Sequence, residues 1–332
     1  MRAWQVRDRG EPHEALALAD VEAPAPGSGL LRVRVAASAL GLPDVLMCRG
    51  SYALTPPRPF TPGQELCGVV VEAGEGTSTR VGDRVMAVSG FFLGHGGFAE
   101  EALALDDFAF PVPETMNDLE AAAFPIPFHT AWIGLVRRAA LREGETLLVL
   151  GGAGGTGSAA IQLGRALGAR VIATVGAPEK VAFCEALGAD VVVDRSKADI
   201  AASVREASDG RGVDVVYDPV GGGAFDAATG CIAHEGRLLL VGFASGRWGA
   251  PSAPHLVTHN YSVLGVMPSG YDRSVRQRAQ GELMELYARG ALRVPVGRVV
   301  PFGALPEGLE ALARGEILGK AVLDVGGEGI SR

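Results

Sequence analysis

A glycine-rich turn in the middle of the chain has the spacing needed to hold a phosphate group. Gly152, Gly154 and Gly157 form a G-x-G-x-x-G pattern directly after the apolar run Thr146–Leu150, and a helical pattern begins at Gly155. Glycines between a buried strand and a helix permit a tight turn and bring backbone amides close to a pyrophosphate, whose charge meets the positive end of the helix dipole. The pattern predicts a dinucleotide-binding loop, with a purely structural turn as the alternative. The predicted contacts are Gly152, Ala153, Gly154, Gly155, Thr156 and Gly157.

The residues after the second strand bear on which dinucleotide binds. An NAD site usually carries an acid about 20 residues after the glycine pattern. Here the strand Arg170–Val175 continues into Gly176 and Ala177 without an acid, Lys180 follows, and Arg195 lies just after the third strand. Cations suit a 2′-phosphate, whereas a carboxylate would repel it, so the pattern favours NADPH. The alternative is that both cations are solvated surface charges.

Five further side chains are candidates for contact with the substrate or the cofactor. Tyr52, in a Pro-rich loop over 52–63, could donate a hydrogen bond to a carbonyl oxygen and stabilise developing negative charge. Thr130 precedes the first strand of the predicted sheet, Thr174 lies at the end of the second strand, and Phe243 and Ser245 follow the fifth. The carboxyl ends of parallel strands face the ligand in such sheets. Ordinary packing is the alternative reading for Tyr52, Thr130, Phe243 and Ser245.

Strand and helix patterns alternate around the glycine turn, which predicts a doubly wound parallel sheet of the Rossmann type, an α/β fold. Gly168 and Gly188 stand where left-handed residues would end two of the helices. The predicted strands are Thr146–Leu150, Arg170–Val175, Asp190–Val193, Val213–Asp218, Arg237–Val241 and Tyr261–Val266. The predicted helices are Gly155–Leu167, Pro178–Leu187, Ile200–Ala207 and Ala224–Ile232.

The flanking segments have a different pattern. From Met1 to about Ala121, short β-like runs are separated by Pro and Gly, which predicts a mostly antiparallel, barrel-like domain. After residue 266 a helix over Ser274–Arg289 and a strand over Val296–Pro301 follow, and we expect this tail to rejoin the first domain. The predicted domains are therefore 1–121 plus 267–332, and 122–266.

Composition and charge exclude several classes of protein. The 332 residues carry a net charge of −8 and 48% apolar residues. The acidic balance argues against general binding of nucleic acid, which needs clustered Lys and Arg. Since no apolar run approaches the roughly 20 residues that cross a bilayer, and the N-terminus has no apolar segment typical of a secretory signal, we expect a cytoplasmic protein without a membrane partner.

The cysteines and histidines do not form a metal-binding pattern. Four cysteines lie far apart in the sequence, which argues against disulfides and against a C-x-x-C zinc site, and Cys48 and Cys67 are predicted to be small buried residues. His255 and His259 have an H-x-x-x-H spacing, but Pro254 with nearby Gly and Ser predicts a loop there, and a third ligand is not evident. We therefore predict no metal site.

Several segments together resemble one known family. Gly144–Leu148, Gly152–Gly157 and Gln162–Arg165 are similar to the signature of the zinc-independent quinone oxidoreductase (zeta-crystallin) branch of the medium-chain dehydrogenase/reductase superfamily. The matches run in the family's order from about residue 30 to residue 245. Further matches are Pro43–Met47, Phe60–Gly63, Val81–Val85, Gly96–Glu100 and Gly212–Asp218.

The resemblance implies a fold, a cofactor and a reaction. It implies a GroES-like barrel domain, completed by the C-terminal segment, with an inserted Rossmann domain that binds NADPH. The implied reaction is hydride transfer to a quinone or an α,β-unsaturated carbonyl, and the implied partner is a second copy paired through the last Rossmann strand. Lys180 matches the lysine that binds the adenosine phosphate in this family, and Arg195 stands where the family has a tyrosine. The alternatives are a 2-enoyl-thioester (enoyl-CoA) reductase and a non-catalytic NADPH-binding redox sensor.

Comparison with the zinc-dependent relatives bears on metal and substrate. Those relatives place a ligating Cys in a C-H-x-D-like segment and a His in a G-H-E segment. The matching segments here are Gly41-Leu42-Pro43-Asp44 and Gly63-Gln64-Glu65, so both ligands are replaced and the resemblance implies a zinc-independent reductase. Gly41 also replaces an Asn that is common near the nicotinamide in quinone oxidoreductases. This change favours a wider substrate pocket and a different substrate.

Overall fold

A computed structural model describes residues 1–327 and divides into two compact units. Unit 1 combines residues 1–126 with the described residues from Val294 onward, and unit 2 is Pro127–Arg293. The strands are β1 Arg2–Val6, β2 Leu16–Asp20, β3 Leu30–Leu40, β4 Glu65–Ala73, β5 Arg84–Ser89, β6 Glu101–Pro111, β7 Thr146–Val149, β8 Arg170–Val175, β9 Val191–Asp194, β10 Val213–Asp218, β11 Ile232–Leu240, β12 Ser262–Gly265, β13 Val296–Pro301 and β14 Lys320–Asp324. The α-helices are α1 Pro12–Ala15, α2 Leu42–Arg49, α3 Asp118–Ala122, α4 Pro125–Trp132, α5 Gly155–Ala166, α6 Val181–Ala186, α7 Ile200–Ala207, α8 Gly222–Thr229, α9 Ala253–His259, α10 Arg273–Ala288 and α11 Leu305–Ala313.

Unit 1 is a mostly antiparallel barrel. Its six-stranded sheet has the order β13-β14-β3-β4-β5-β6, and an additional pairing of β3 with β6 joins β3, β4, β5 and β6 into a closed ring. The pairing of β13 with β14 is parallel and the others in this sheet are antiparallel. Buried residues inside the ring, such as Val33, Leu66 and Phe98, form the core. The predicted GroES-like architecture is confirmed.

Unit 2 contains the predicted parallel sheet. Its six strands have the order β12-β11-β10-β7-β8-β9, and every pairing is parallel. Strand β7 lies between β8, which follows it directly in the chain, and β10, which comes later. Ligands of such sheets bind beyond the carboxyl ends of the strands where the strand order reverses, which here is the end of β7. The glycine turn follows β7 directly, so the fold places it at this position.

Helix α10 groups with unit 2, whereas the sequence pattern assigned residues 267–332 to the other domain. The reason is a set of side-chain contacts within unit 2: the His129 imidazole lies 3.0 Å from Gln280 Oε1, and the Trp132 indole donates to Glu282 at 2.8 Å. The boundaries along the chain therefore fall after Ile126 and before Val294 instead of near residues 121 and 266.

Local chain geometry confirms some turn predictions and overturns one. Gly168 and Gly188 adopt φ values of +81° and +101°, as expected for residues that end helices. The loop predicted around His255 and His259 is wrong, because α9 spans these residues. Ser252 caps the helix through the His255 amide, and Pro254 lies in the first turn, where its missing N–H costs nothing.

None of the helices over residues 1–327 is long and apolar enough to cross a bilayer.

Candidate functional site

The glycine loop after β7 is a turn that only glycine can form at two of its positions. Gly151 adopts φ +64°, and a Cβ there would lie 2.9 Å from Val220 Cγ2. A Cβ at Gly157 would overlap the carbonyl oxygen of Gly151. These approaches draw the loop tightly against the first turn of α5. The glycines are therefore required by the loop's own packing, before any ligand is considered.

Neighbouring strands hold the loop through backbone hydrogen bonds. The Gly152 amide donates to the Thr174 carbonyl at 2.9 Å, and the Gly151 amide donates to the Thr174 hydroxyl at 3.2 Å. The Leu150 amide donates to the Tyr217 carbonyl at 3.0 Å. Thr174 is 1% exposed, so its side chain supports the loop from the interior of unit 2.

The outer face of the loop fits an anion. Gly154 is exposed and Gly155 and Thr156 are half-buried, whereas Gly152, Ala153 and Gly157 are buried. Gly154 is the N-cap of α5, and no side chain among the described residues caps the helix. The amides of the first turn then point outward at the positive end of a 12-residue helix, which is a favourable place for a phosphate.

The two predicted cations lie after consecutive strands on one side of this loop. Lys180 ends a 3₁₀ turn after β8 and is half-buried. Burial raises the pKa of the Cys184 thiol to about 12, and the positive charge of Lys180 acts in the opposite direction. Arg195 is exposed after β9, and its Nη2 would lie 3.1 Å from a Cβ at Gly176. The absence of a side chain at Gly176 therefore makes room for the Arg195 guanidinium at the end of β8.

Asp218, at the end of β10, organises the opposite side of the loop. This residue is fully buried, and its Oδ1 accepts from the amides of Val220 and Gly221, each at 2.8 Å. Its Oδ2 has no hydrogen-bond partner among the described residues, and burial raises the pKa of the carboxyl. The carboxylate fixes the turn into α8. Asp218 belongs to the matched segment Gly212–Asp218, but the sequence alone indicates no role for it.

That turn connects the glycine loop to Ser245. Val220 lies against Gly151, as described above, and its carbonyl accepts from the Ser245 amide at 2.9 Å. A Cβ at Gly222 would approach Ser245 Oγ to 2.6 Å. The structure thus brings one predicted nicotinamide contact into a continuous surface with the predicted phosphate loop.

Phe243 and Trp248 form an aromatic pair on the segment after β11. Their ring centroids are 4.5 Å apart with an interplanar angle of 31°. A cavity of about 550 Å³ adjoins this pair, and Leu240, Met267 and Tyr271 contribute to its lining. The opening lies at the carboxyl ends of β11 and β12, and its lining also includes Arg138.

Thr130 lies on α4 and is 6% exposed. Its neighbour His129 is also buried, and burial lowers the pKa of His129 to about 4, so this imidazole is neutral at pH 7. The structure therefore places Thr130 on a helix of unit 2 with little solvent exposure.

Tyr52 lies in unit 1, in the Pro-rich loop, and packs partly buried against the barrel core. Burial raises the pKa of its hydroxyl, the nearby Gln64 side chain lowers it, and the Asp44 carboxylate raises it. Asp44 is fully buried and accepts from the amides of Gly41 at 2.8 Å and Gly63 at 3.0 Å. Burial raises the pKa of Asp44 to about 7.

A buried ion pair adjoins Asp44. Lys320 Nζ lies 2.6 Å from Glu65 Oε1 and donates to the Leu40 carbonyl at 2.9 Å, and Glu65 Oε2 accepts from the Ile126 amide. We refer to the five linked side chains as the Tyr52 cluster. Its members are Asp44, Tyr52, Gln64, Glu65 and Lys320.

Two segments of the chain stand where zinc-dependent relatives have metal ligands. In these segments Asp44 accepts from two backbone amides, Glu65 pairs with Lys320, and Gln64 interacts with Tyr52. Over residues 1–327, no group of three or more His, Cys, Asp or Glu side chains is arranged to hold a metal ion. The four cysteines are buried, as predicted for Cys48 and Cys67. His255 and His259 stack on each other with ring centroids 3.9 Å apart.

Comparison with known proteins matches both units. Residues 27–114 match the alcohol dehydrogenase GroES-like domain family, and residues 155–288 match the zinc-binding dehydrogenase family. The chain is 33% identical over 304 residues to a quinone oxidoreductase-like protein 2 homolog from Nematostella vectensis, and the match covers 90% of this chain and 82% of the relative.

Solved structures give the same result. The quinone oxidoreductase from Thermus thermophilus, described with its NADPH complex, is 34% identical, has a TM-score of 0.83, and the match covers 98% of this chain and 100% of that one. A mycobacterial protein in complex with NADPH is 31% identical with a TM-score of 0.91, and the match covers 97% and 99% of the two chains. The chain is an oxidoreductase that belongs to the zinc-independent quinone oxidoreductase branch of the medium-chain dehydrogenase/reductase superfamily.

Proposed function

We propose that this protein is an NADPH-dependent reductase that delivers a hydride to a quinone or an α,β-unsaturated carbonyl without zinc. The observation that carries the proposal is the glycine loop with its uncapped helix end and two cations beyond the neighbouring strands. NADPH, when bound, would supply the hydride, and the protein would supply binding, orientation and electrostatics. The solved relatives described with NADPH support this choice of cofactor.

Different residues in and around the loop bind different parts of the cofactor. The amides of Gly154, Gly155 and Thr156 hold the pyrophosphate, and Gly152, Ala153 and Gly157 allow the backbone to approach it. Thr174 keeps the loop in place. Lys180 and Arg195 neutralise the 2′-phosphate, and Phe243 and Ser245 line the nicotinamide end.

Tyr52 and Thr130 are the proposed residues at the reacting carbonyl. The Tyr52 hydroxyl donates a hydrogen bond to the substrate oxygen, stabilises the negative charge that develops as the hydride arrives, and supplies the proton that completes the reduction. A tyrosine hydroxyl is protonated at neutral pH and can act as a donor, and burial, which raises the pKa of Tyr52, favours this form further. Thr130 is the second hydroxyl available at the nicotinamide.

A substrate panel tests this function directly. NADPH oxidation is measured with 9,10-phenanthrenequinone, 1,4-benzoquinone and crotonyl-CoA, in the wild type and in Tyr52→Phe. We expect turnover with at least one quinone and about 100-fold lower kcat in Tyr52→Phe. Tyr287→Phe serves as a matched control in unit 2 and should leave kcat unchanged.

Each outcome of the panel distinguishes one alternative. Preference for crotonyl-CoA over both quinones would identify a 2-enoyl-thioester reductase. NADPH binding without turnover of any compound would identify a cofactor-binding sensor and contradict both enzymatic functions.

We also propose that the protein forms a homodimer through β12. Within the described residues, β12 pairs with β11 on one side and is the outer strand of the sheet on the other. An exposed strand edge is a template for pairing with another chain. Analytical ultracentrifugation should give a dimer mass. Because the Val266 amide donates to Leu240 of β11 and strand amides alternate sides, the Val263 amide faces the outer edge of β12. Val263→Pro, which removes this outward donor, should shift the protein toward monomer.

A further inference from the structure

The opening beside Trp248 in unit 2 has a single charged residue in its lining. It lies at the carboxyl ends of β11 and β12 and has a volume of about 550 Å³. No acidic residue of the described range 1–327 contributes to its lining. We call it the Arg138 opening, and its larger side chains are those of Arg138, Leu240, Trp248, Val266, Met267 and Tyr271. The lining therefore combines one cation with apolar and aromatic side chains.

The Arg138 guanidinium is anchored at this opening and keeps free donors. Arg138 ends the π-helical turn Ile133–Arg138 that continues α4, and its Nε donates to the Gly265 carbonyl at the end of β12, at 3.0 Å. This bond uses one of the five N–H donors of a guanidinium. Its Nη1 and Nη2 make no hydrogen bond or ion pair with another residue of the described chain. An anion in the opening would meet a cation whose direction is already fixed.

The exposed apolar side chains of unit 2 are concentrated near the same place. Within the part of this unit that the structure describes, the large apolar side chains that are exposed are Trp248, Val257 and Met267. Trp248 and Met267, which are 51% and 60% exposed, both line the Arg138 opening. The indole of Trp248 packs against the Phe243 ring, with centroids 4.5 Å apart, so its position is defined. Exposed apolar surface that collects at one opening is typical of a binding site.

Charge and shape together define the class of ligand. A guanidinium with free donors binds a carboxylate or another oxyanion through two parallel hydrogen bonds. Aromatic side chains and the adaptable Met267 favour a flat apolar ring, and an opening of this volume accommodates a molecule of one or two rings. We propose that the Arg138 opening binds a small aromatic anion, whose acidic group pairs with Arg138 and whose ring packs on Trp248 and Met267.

The proposed function assigns no role to Arg138, Trp248 or Met267, so the site is tested by binding alone. Isothermal titration of the full chain compares 2-naphthoate with its neutral analogue 2-naphthamide. We expect the anion to bind at least tenfold more tightly. Arg138→Met should weaken naphthoate binding about 10- to 100-fold, because charged hydrogen bonds are lost. The affinity for naphthamide should not change, which shows that the opening is still folded.

The neighbouring Arg137 supplies a matched control. It is also exposed, but it does not contribute to the lining. Arg137→Met should keep the full affinity for naphthoate, and Arg138→Lys should recover only part of it, because an ammonium keeps the charge without the planar fork. Equal losses from Arg137→Met and Arg138→Met would show general attraction of anions to a basic surface and would overturn the proposal.

Trp248→Leu tests the aromatic part of the ligand. This change keeps an apolar side chain and removes the ring. It should weaken naphthoate binding about 2- to 10-fold and leave the weaker binding of cyclohexanecarboxylate unchanged. Equal affinity of the wild type for naphthoate and cyclohexanecarboxylate would overturn the proposed ligand class.

The position beside β12 allows a second copy of the chain as another occupant. Absence of naphthoate binding in the wild type would overturn the proposal. If Trp248→Leu also shifted the protein from dimer to monomer in analytical ultracentrifugation, the opening would belong to the contact between copies instead.

Turnover shows whether the anion is part of the substrate or a separate molecule. NADPH oxidation is compared with 1,2-naphthoquinone and its 4-sulfonate. A higher KM in Arg138→Met for the sulfonate alone would show that the substrate carries the acid, whereas unchanged KM values with weakened naphthoate binding would show a separate effector. Both results support the site. Lack of turnover with any quinone would contradict the proposed function and leave the binding results unaffected.

Discussion

The glycine loop of unit 2 and the Tyr52 cluster of unit 1 are built in opposite ways. The loop consists of consecutive residues, and backbone hydrogen bonds and close backbone approaches define its shape. The cluster consists of side chains from α2, the Pro-rich loop, the residue before β4, β4 itself and β14, which are spread from Asp44 to Lys320 in the sequence. A short sequence is therefore enough to specify the loop, whereas only the completed barrel can assemble the cluster.

The two regions should also fail in opposite ways. The loop has no room for additional atoms at Gly151, Gly152 and Gly157, where an added Cβ would lie 2.9 Å or less from another atom. The cluster depends on charges that satisfy one another in a buried environment, so the loss of one partner leaves the other without compensation. Substitutions in the loop should affect cofactor binding first, and substitutions of the charged members of the cluster should affect stability first.

The largest expected effect is on stability, from Lys320→Met. The Lys320 and Glu65 side chains are 9% and 2% exposed, and they lie 2.6 Å apart. Removal of the ammonium leaves a buried carboxylate without its partner, which typically costs about 3–5 kcal/mol. Urea denaturation of the variant should show this loss. The double variant Lys320→Met with Glu65→Leu should recover much of it, because neither charge then remains.

A matched substitution in an exposed pair completes this comparison. Arg314 and Glu316 also form an ion pair, but their side chains are 57% and 50% exposed. Arg314→Met should leave the urea midpoint unchanged, since exposed pairs contribute little. Similar losses from Arg314→Met and Lys320→Met would contradict the importance assigned to burial in the Tyr52 cluster.

The next effect is on cofactor use, from Gly157→Ala. Its single added methyl group would overlap the Gly151 carbonyl, so the loop must move. We expect kcat/KM for NADPH to fall by about 100-fold, because a displacement of about 1 Å in a positioning element can cost that much. Gly223→Ala is the control: Gly223 lies in α8, and its added methyl group would meet no atom within 4 Å. Equal kinetics in both variants would show that the loop geometry does not control cofactor binding.

The parts of the molecule that could be predicted from the sequence are those with local signals. The strand, glycine turn and helix around Gly152–Gly157 form one continuous pattern, and Gly168 and Gly188 mark helix ends because left-handed residues favour glycine. Short β-like runs separated by Pro and Gly predicted a barrel-like domain rejoined by the C-terminal segment, and the family resemblance identified this barrel as GroES-like. Each of these features depends on residues close in sequence or on a motif of several residues.

The features that were missed depend on distant contacts. Gln64 was noted only as the replacement of a zinc ligand, because its relation to Tyr52 and Asp44 exists only in the folded barrel. Helix α9 was missed for a local reason, since Ser252 and Pro254 are typical of loops but also of a first helical turn. A Ser two residues before a Pro was the available signal for that helix.

The smallest expected effect is a change of cofactor preference from Lys180→Ala, which tests the loop's surroundings instead of the loop itself. Loss of one charged contact to the 2′-phosphate should weaken NADPH binding by about 1.5–3 kcal/mol and leave NADH binding nearly unchanged. Fluorescence titration of both cofactors measures this difference. Lys197→Ala is the control and should leave the affinity for both cofactors unchanged. The Lys197 side chain is 67% exposed, and its Nζ lies 3.8 Å from Asp194 Oδ2. An equal loss of affinity for NADPH and NADH would show that Lys180 does not recognise the 2′-phosphate and would leave Arg195, against Gly176, as the residue that does.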